Sequence, residues 1–258
     1  MERLRPERPK GMSRAVLRKW GMLFIVLGVF GRSILQTRYL GLQDMTPEQM
    51  LEAMNTGAYV MLGVTVAIVL QFMEACATPI FCLLLADGFV KTSDRWKYIG
   101  RIAGLAFISE IPYNYAMFGK FLETSSRNPV FGMVFAAFLL YLYEHYGEKK
   151  FVNLLIKALV TVAAVIWCVM LKIEHGVPCV ILTSIFWGFR KKPMIRNFAG
   201  AIGAVFCSLY SMFYMVSPMS VLALHFYNGE KGEENRLVSY LLYPMVLIGF
   251  GIVGTFAF

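Results

Sequence analysis

The chain has 258 residues, 58% hydrophobic and 16% charged, with a net charge of +9 and a mean hydropathy of +0.59. Soluble domains carry about a quarter charged residues, so an ordinary soluble domain is excluded and a polytopic membrane protein is implied. The positive charge is concentrated ahead of the first apolar run, which argues against a nucleic-acid surface.

Residues 1–19 hold Arg3, Arg5, Arg8, Lys10, Arg14, Arg18 and Lys19, and end where WGMLFIVLGVFG begins. No small-residue cleavage site follows, so we read a basic cytoplasmic segment (1–19) and then a transmembrane domain (20–258) that starts with an uncleaved span. Apolar runs predict nine spans, at about 20–36, 57–90, 98–117, 129–146, 150–171, 176–190, 194–213, 215–227 and 236–256. The second is too long for one straight crossing, and Pro79 predicts a kinked helix or two elements. The eighth, short and interrupted by Pro218, is the weakest. With residues 1–19 inside, the inner segments and their flanks hold 19 of the 25 Lys and Arg residues. Outer segments hold Arg38, Lys120, Arg127 and Lys172, as the positive-inside rule requires. The fold expected is an all-α polytopic bundle with a cytoplasmic N-terminus in the cell membrane, in contact with lipid and not with nucleic acid. The five cysteines (Cys76, Cys82, Cys168, Cys179, Cys207) lie in apolar segments without metal-type spacing, so neither zinc nor disulfides are expected.

Ionisable residues inside spans are costly and tend to face the bundle interior. Here they are Arg32, Glu74, Asp87, Glu110, Lys157 and His225. Helical spacing puts Gln71, Glu74, Thr78 and Cys82 on one face. It also lines up Ala103, Ala106, Glu110, Tyr113 and Asn114, and GRIAG (100–104) has the spacing of a close helix contact. Within SEIPYN (109–114), Pro112 removes a main-chain donor beside the Glu110 carboxylate, which makes a plausible site wall. The plainer alternative pairs Glu110 with Arg32 and assigns both to packing. His225 begins HFYNGEKG (225–232), where it is a candidate general base or part of a solvated turn. His145 reads as an interface residue, and His175 as a catalyst only for chemistry on the outer side.

The stretch PIFCLLLADGFVKTSDRWKYIGRIAGLAFISEIPYNYAM (79–117) resembles the central signature of the TraX family, and YNGEKG (227–232) resembles its second. The positions that match are Pro79, Phe81, Asp87, Gly88, Phe89, Tyr98, Arg101, Ser109, Glu110, Pro112, Tyr113, Asn228, Gly229 and Gly232. The resemblance implies an inner-membrane protein linked to acetylation of a pilin N-terminus, hence an acetyltransferase using acetyl-CoA as donor; no metal is expected. The acceptor would be a peptide, a pilin or a small molecule, through an amine or a hydroxyl. Two family histidines have no counterpart, in the first span and after Tyr243–Pro244, which leaves His225 and His175. On this reading Lys97, Arg101, Arg190, Lys191 and Lys192 hold the CoA phosphates. His225 is the base, oriented by Asp87, and Asn228 stabilises the oxyanion. Glu110, Tyr113, Asn114 and Glu74 shape the acceptor side. The rival reading is a carrier or an assembly protein without enzymatic activity.

Overall fold

The computed structural model describes residues 11–42, 45–146, 151–233 and 235–256. Arg3, Arg5, Arg8 and Lys10 of the expected basic segment lie outside them. The elements are α1 (Arg14–Val29), a π-helical continuation (Phe30–Tyr39), α2 (Pro47–Thr56), α3 (Ala58–Ala75), α4 (Ala77–Lys91) and α5 (Arg95–Phe118). There follow α6 (Val130–His145), α7 (Phe151–Met170), α8 (Gly176–Gly188), α9 (Pro193–Cys207), a 3-10 turn (Met212–Met215), α10 (Pro218–His225) and α11 (Arg236–Phe256). The described residues form no strand, only two isolated bridges. By length and composition, Arg14–Tyr39, Ala58–Lys91 and Phe151–Met170 can each cross a membrane, and shorter apolar helices lie at Val130–His145, Gly176–Gly188, Pro193–Cys207 and Tyr240–Phe256.

Local chemistry sets the ends. The Ser13 hydroxyl accepts from the Val16 amide and the Asp94 carboxylate from the Lys97 amide, each capping a first turn. Thr46 and Gln49 form a reciprocal capping box ahead of α2, with Pro47 at its first position. Gly119, at φ 68°, closes α5 in the left-handed conformation that glycine adopts without steric cost.

The long second run is a broken helix that follows α1 back. Space beside Gly21 is filled by Phe81, beside Gly28 by Glu74, and beside Gly88 by Arg14 and Tyr98. Seven residues forward on α1 thus meet seven residues backward on α3–α4, so the pair is antiparallel with a glycine-lined seam. The break falls at Cys76, between α3 and α4. Pro79 cannot donate to the Ala75 carbonyl four residues earlier and its ring crowds that carbonyl, which is why the helix gives way there. Gln71, Glu74, Thr78 and Cys82 are nevertheless all buried, as their shared face predicts.

α8 is enclosed by α4, α6, α7 and α9, and buries most of its length. α7 is peripheral: only Ala164 and Cys168 are buried, while Leu154, Leu159, Val162, Ile166 and Trp167 face outward, as a lipid-facing helix should. The eighth predicted span is an eight-residue helix. It starts beyond Tyr214, which touches Thr78, and ends before Tyr227, which reaches Asp87. All five cysteines are buried as free thiols.

One expectation about close contacts fails. Gly100 and Gly104 face open space and make no close helix contact, although Ile102 between them is buried in the core. SEIPYN lies within α5, which continues through Pro112, and Ile108, whose carbonyl Pro112 cannot reach as a donor, lies on the exposed side.

Candidate functional site

Four elements converge on one buried polar centre. Arg32 comes from the π-helical segment, Glu74 from α3, Tyr113 from α5, and Glu174 and His175 from the loop between α7 and α8. Arg32 donates through Nη2 to Glu74 Oε1 at 2.8 Å and through Nη1 to Glu174 Oε1. Tyr113 donates its hydroxyl to Glu174 Oε2 at 2.8 Å. One guanidinium therefore bridges two carboxylates from segments far apart in sequence. Gly28 makes this possible, because a Cβ there would occupy the space of the Glu74 side chain.

The loop that presents Glu174 is held by the chain before α6. The Arg127 amide donates to the Lys172 carbonyl (2.9 Å) and the Glu174 amide to the Arg127 carbonyl (3.0 Å). On either side of Glu174, Lys172 and His175 take φ values of 52° and 55°. Left-handed non-glycine residues cost about 1–3 kcal/mol each and gather at functional sites. His175 Nδ1 lies 2.7 Å from the Tyr214 hydroxyl, which in turn lies 3.2 Å from Thr78 Oγ1. Nε2 of the same ring is buried without a partner, 4.0 Å from Glu74 and 3.9 Å from Glu174. His175 sits in a loop outside the spanning helices. Burial, and secondarily the Arg32 charge, lower its pKa to about 3, so the ring is neutral.

Three cavities meet at this centre. The first, about 170 Å3, runs between apolar walls that include Met22, Ile25, Phe81, Leu105 and Met133. One end carries Arg14, Arg18, Tyr98 and Tyr240; the other carries Arg32, Glu74, Glu174, His175, Tyr113 and Tyr243. The second, about 430 Å3, reaches Arg32 and both glutamates past Gln71, Lys172, Tyr210 and Ser211. The third, about 390 Å3, reaches Arg32, Tyr113 and Glu174 past Gln36, Thr37, Met50 and Phe118. Hydrogen-bond donors, two carboxylates and a neutral imidazole thus line three adjoining cavities. Such a place can polarise a carbonyl and accept a proton.

The Arg14 end has its own polar frame. Arg14 Nη2 donates to the Leu84 carbonyl (3.3 Å), its Nε is buried without a partner, and Tyr98 donates to the Leu85 carbonyl (3.1 Å). Asp87 accepts from Tyr227 at 2.7 Å and from Lys91 at 2.9 Å. Lys91 also donates to the Gly229 carbonyl at 2.6 Å. The stretch around Met12 pairs with 226–230 through Met12 N to Phe226 O (2.7 Å), Asn228 N to Met12 O (3.0 Å) and Arg14 N to Glu230 O (2.8 Å).

Several sequence expectations need correction against this geometry. Asp87 does not orient His225: its carboxylate is taken by Tyr227 and Lys91, while His225 is exposed at the end of α10 with its ring against Phe226. Asn228 shapes the turn, its side-chain oxygen accepting from the Glu230 amide. Glu110 does not pair with Arg32 but with Arg127 (2.9 Å) and the Asn128 side chain (2.7 Å), away from the central cavity's lining. Lys97, Arg101, Arg190, Lys191 and Lys192 are all exposed and line none of the three cavities, and Arg190 lies 4.0 Å over the Trp187 ring. The basic residues at the cavity mouth are Arg14 and Arg18 instead. Asn114 is fully buried, donating to the Phe121 carbonyl at 3.4 Å. Glu74 and Tyr113 do lie in the cavity. Glu174, an ordinary loop acid by sequence, was the residue with no signal; the intramembrane Arg32 was the clue that such a partner had to exist.

A family model described as TraX protein matches residues 49–254. The chain is also similar to the probable fimbrial assembly protein FimC, serogroup H1, of Dichelobacter nodosus, with 25% identity over 202 residues, or 68% of this chain and 79% of that protein. No solved structure matches it.

Proposed function

We propose that this chain, which belongs to the TraX family, is a multi-pass acyltransferase of the cytoplasmic membrane that takes an acetyl group from acetyl-CoA. On this reading residues 1–19 lie inside and the longer apolar helices cross, while α10, eight residues and about 12 Å long, is too short to span the membrane by itself. The acceptor is an amine or a hydroxyl, and a pilin subunit fits the name of the fimbrial assembly relative. The observation that carries the reading is the apolar passage from Arg14 and Arg18 to the buried Arg32–Glu74–Glu174–His175 centre. CoA phosphates suit a basic mouth, where guanidinium groups bind them bidentately. The pantetheine arm and the acyl group suit an apolar passage.

At the centre, one arrangement of the hydrogen bonds has Tyr214 donating to His175 Nδ1, which leaves the hydrogen on Nε2. That N–H, with Arg32, faces the carbonyl oxygen of the thioester and stabilises its negative charge during attack. Glu74 or Glu174 takes the proton from the attacking amine or hydroxyl. The new C–N or C–O bond forms, the C–S bond breaks, and the proton passes to the departing thiolate. Tyr113 and Arg32 position Glu174, and this assigns the base to a carboxylate and not to His225.

The test is equilibrium binding of acetyl-CoA to the full chain in detergent, against ATP and free CoA, repeated with Arg14→Ala and Arg18→Ala. Saturable binding selective over ATP, weakened about tenfold or more by either variant, is expected. Binding no better than that of ATP would sink the donor site. The charged centre beside three cavities also fits a carrier; proteoliposome flux dependent on Glu74 in the absence of acetyl-CoA binding would favour that instead.

A further inference from the structure

We infer that the transfer runs across the membrane: the donor enters from the Arg14 end and the acceptor from the opposite face, through the cavity lined by Gln36, Thr37, Met50, Phe118 and Ser126. This rests on the acyl-transfer reading and adds a side to each substrate. Along α1 and its π-helical continuation, Arg18 and Arg32 are fourteen residues apart, about 21 Å at roughly 1.5 Å per residue. That is most of the roughly 30 Å hydrocarbon thickness, so one passage joins two levels of the membrane.

The charges of the two ends give their sides. Near the Arg14 end lie Arg18 on the same helix, Lys91 and Arg196 around Asp87, Lys231, whose carbonyl accepts from the Ala15 amide, and Arg95 over the Phe89 ring. Near the Arg32 end lie Arg38, which donates to the Tyr115 carbonyl (3.3 Å), and Arg127 and Lys172, which meet across the loop before α6. The basic excess at the first end marks it as cytoplasmic. Neither of the two cavities that open at the second end is lined by any residue of the first. The centre is therefore shared by an inner passage for one ligand and outer openings for another.

Of the two outer openings, the one past Gln36 and Thr37 suits the acceptor. The other carries Lys172 on its wall, which repels an ammonium group. The chosen one has neutral polar groups together with Leu42, Met50, Met117 and Phe118. It fits an acceptor whose nucleophile is followed by an apolar group. α2 supplies Met50 to this wall and is thereby part of the acceptor site.

The experiment uses the full chain in sealed vesicles sorted by orientation. Acetyl-CoA, which does not cross lipid, is placed on one face, and a fluorescent peptide with a free α-amine and an apolar first residue on either face. A detergent-solubilised sample serves as the reference. Product is expected when acetyl-CoA is at the Arg14 face and peptide at the other, about tenfold faster than with both on one face. Product in detergent but equally fast with both on one face overturns the crossing and leaves acyl transfer standing. No product even in detergent removes the acyl-transfer reading, and this inference with it. Filling the outer opening with Gln36→Trp should raise the KM for the peptide about tenfold while acetyl-CoA binding stays unchanged. Unchanged peptide kinetics would overturn the assignment of that opening.

Discussion

Replacing Arg32 with methionine removes the one cation between two carboxylates. The side chains of Glu74 and Glu174 are 8% and 16% exposed, and that of Arg32 is 21% exposed. Water can therefore compensate little, and breaking such a buried pair costs about 3–5 kcal/mol. At 1.4 kcal/mol per tenfold, the folded-to-unfolded ratio should fall by a factor on the order of 100 to 1000 or more. The triple variant Arg32→Met, Glu74→Gln, Glu174→Gln removes the charges together and should recover most of the loss, since a buried triad replaced as a whole is often neutral. Unfolding in mixed micelles of rising SDS fraction, followed by tryptophan fluorescence, reads both. The same triple variant should be inactive in acyl transfer although folded, which separates the site's chemistry from its packing. If Arg32→Met unfolds at the wild-type SDS fraction, or the triple variant is as unstable as the single one, the argument that these three charges depend on one another is wrong.

The neutral His175 makes stability depend on pH. The unfolded chain takes up a proton near 6.5, whereas the folded ring resists it to about 3 because of burial and then Arg32. Stability is thus full above pH 6.5 and is lost as pH falls toward 3; His175→Gln should flatten that part of the profile. Gly28→Ala drives a Cβ into Glu74 and should destabilise by about 1–3 kcal/mol, while Gly100→Ala, in open space, should stabilise by roughly 0.5–1 kcal/mol; equal effects would refute the glycine seam. Tyr227→Phe removes a hydrogen bond to the Asp87 carboxylate, at a cost of about 1.5–3 kcal/mol, and should speed amide exchange over 226–231. His225→Ala, at an exposed site, should stay within about 0.5 kcal/mol and leave turnover unchanged; lost turnover would return the base role to His225.

Reading the sequence alone already determined the helical membrane class, the positions of most apolar helices, the break near Pro79, and the likeness that the family match confirms. These are local properties: hydropathy, a proline's missing donor, and capping residues act over a few neighbouring positions. The sequence also marked Arg32 and Glu74 as groups that must face inward, because hydrocarbon does not accept them. What it did not determine was who meets whom. Arg32 finds Glu174 across 142 residues of chain, Glu110 goes to Arg127, and Asp87 closes on Tyr227 and leaves His225 outside. Those choices depend on how each helix is rotated and how far it slides against its neighbour. A glycine at 28 that admits Glu74, or a loop that takes left-handed conformations around Glu174, changes the partner without changing any local pattern. Only the packed bundle decides that.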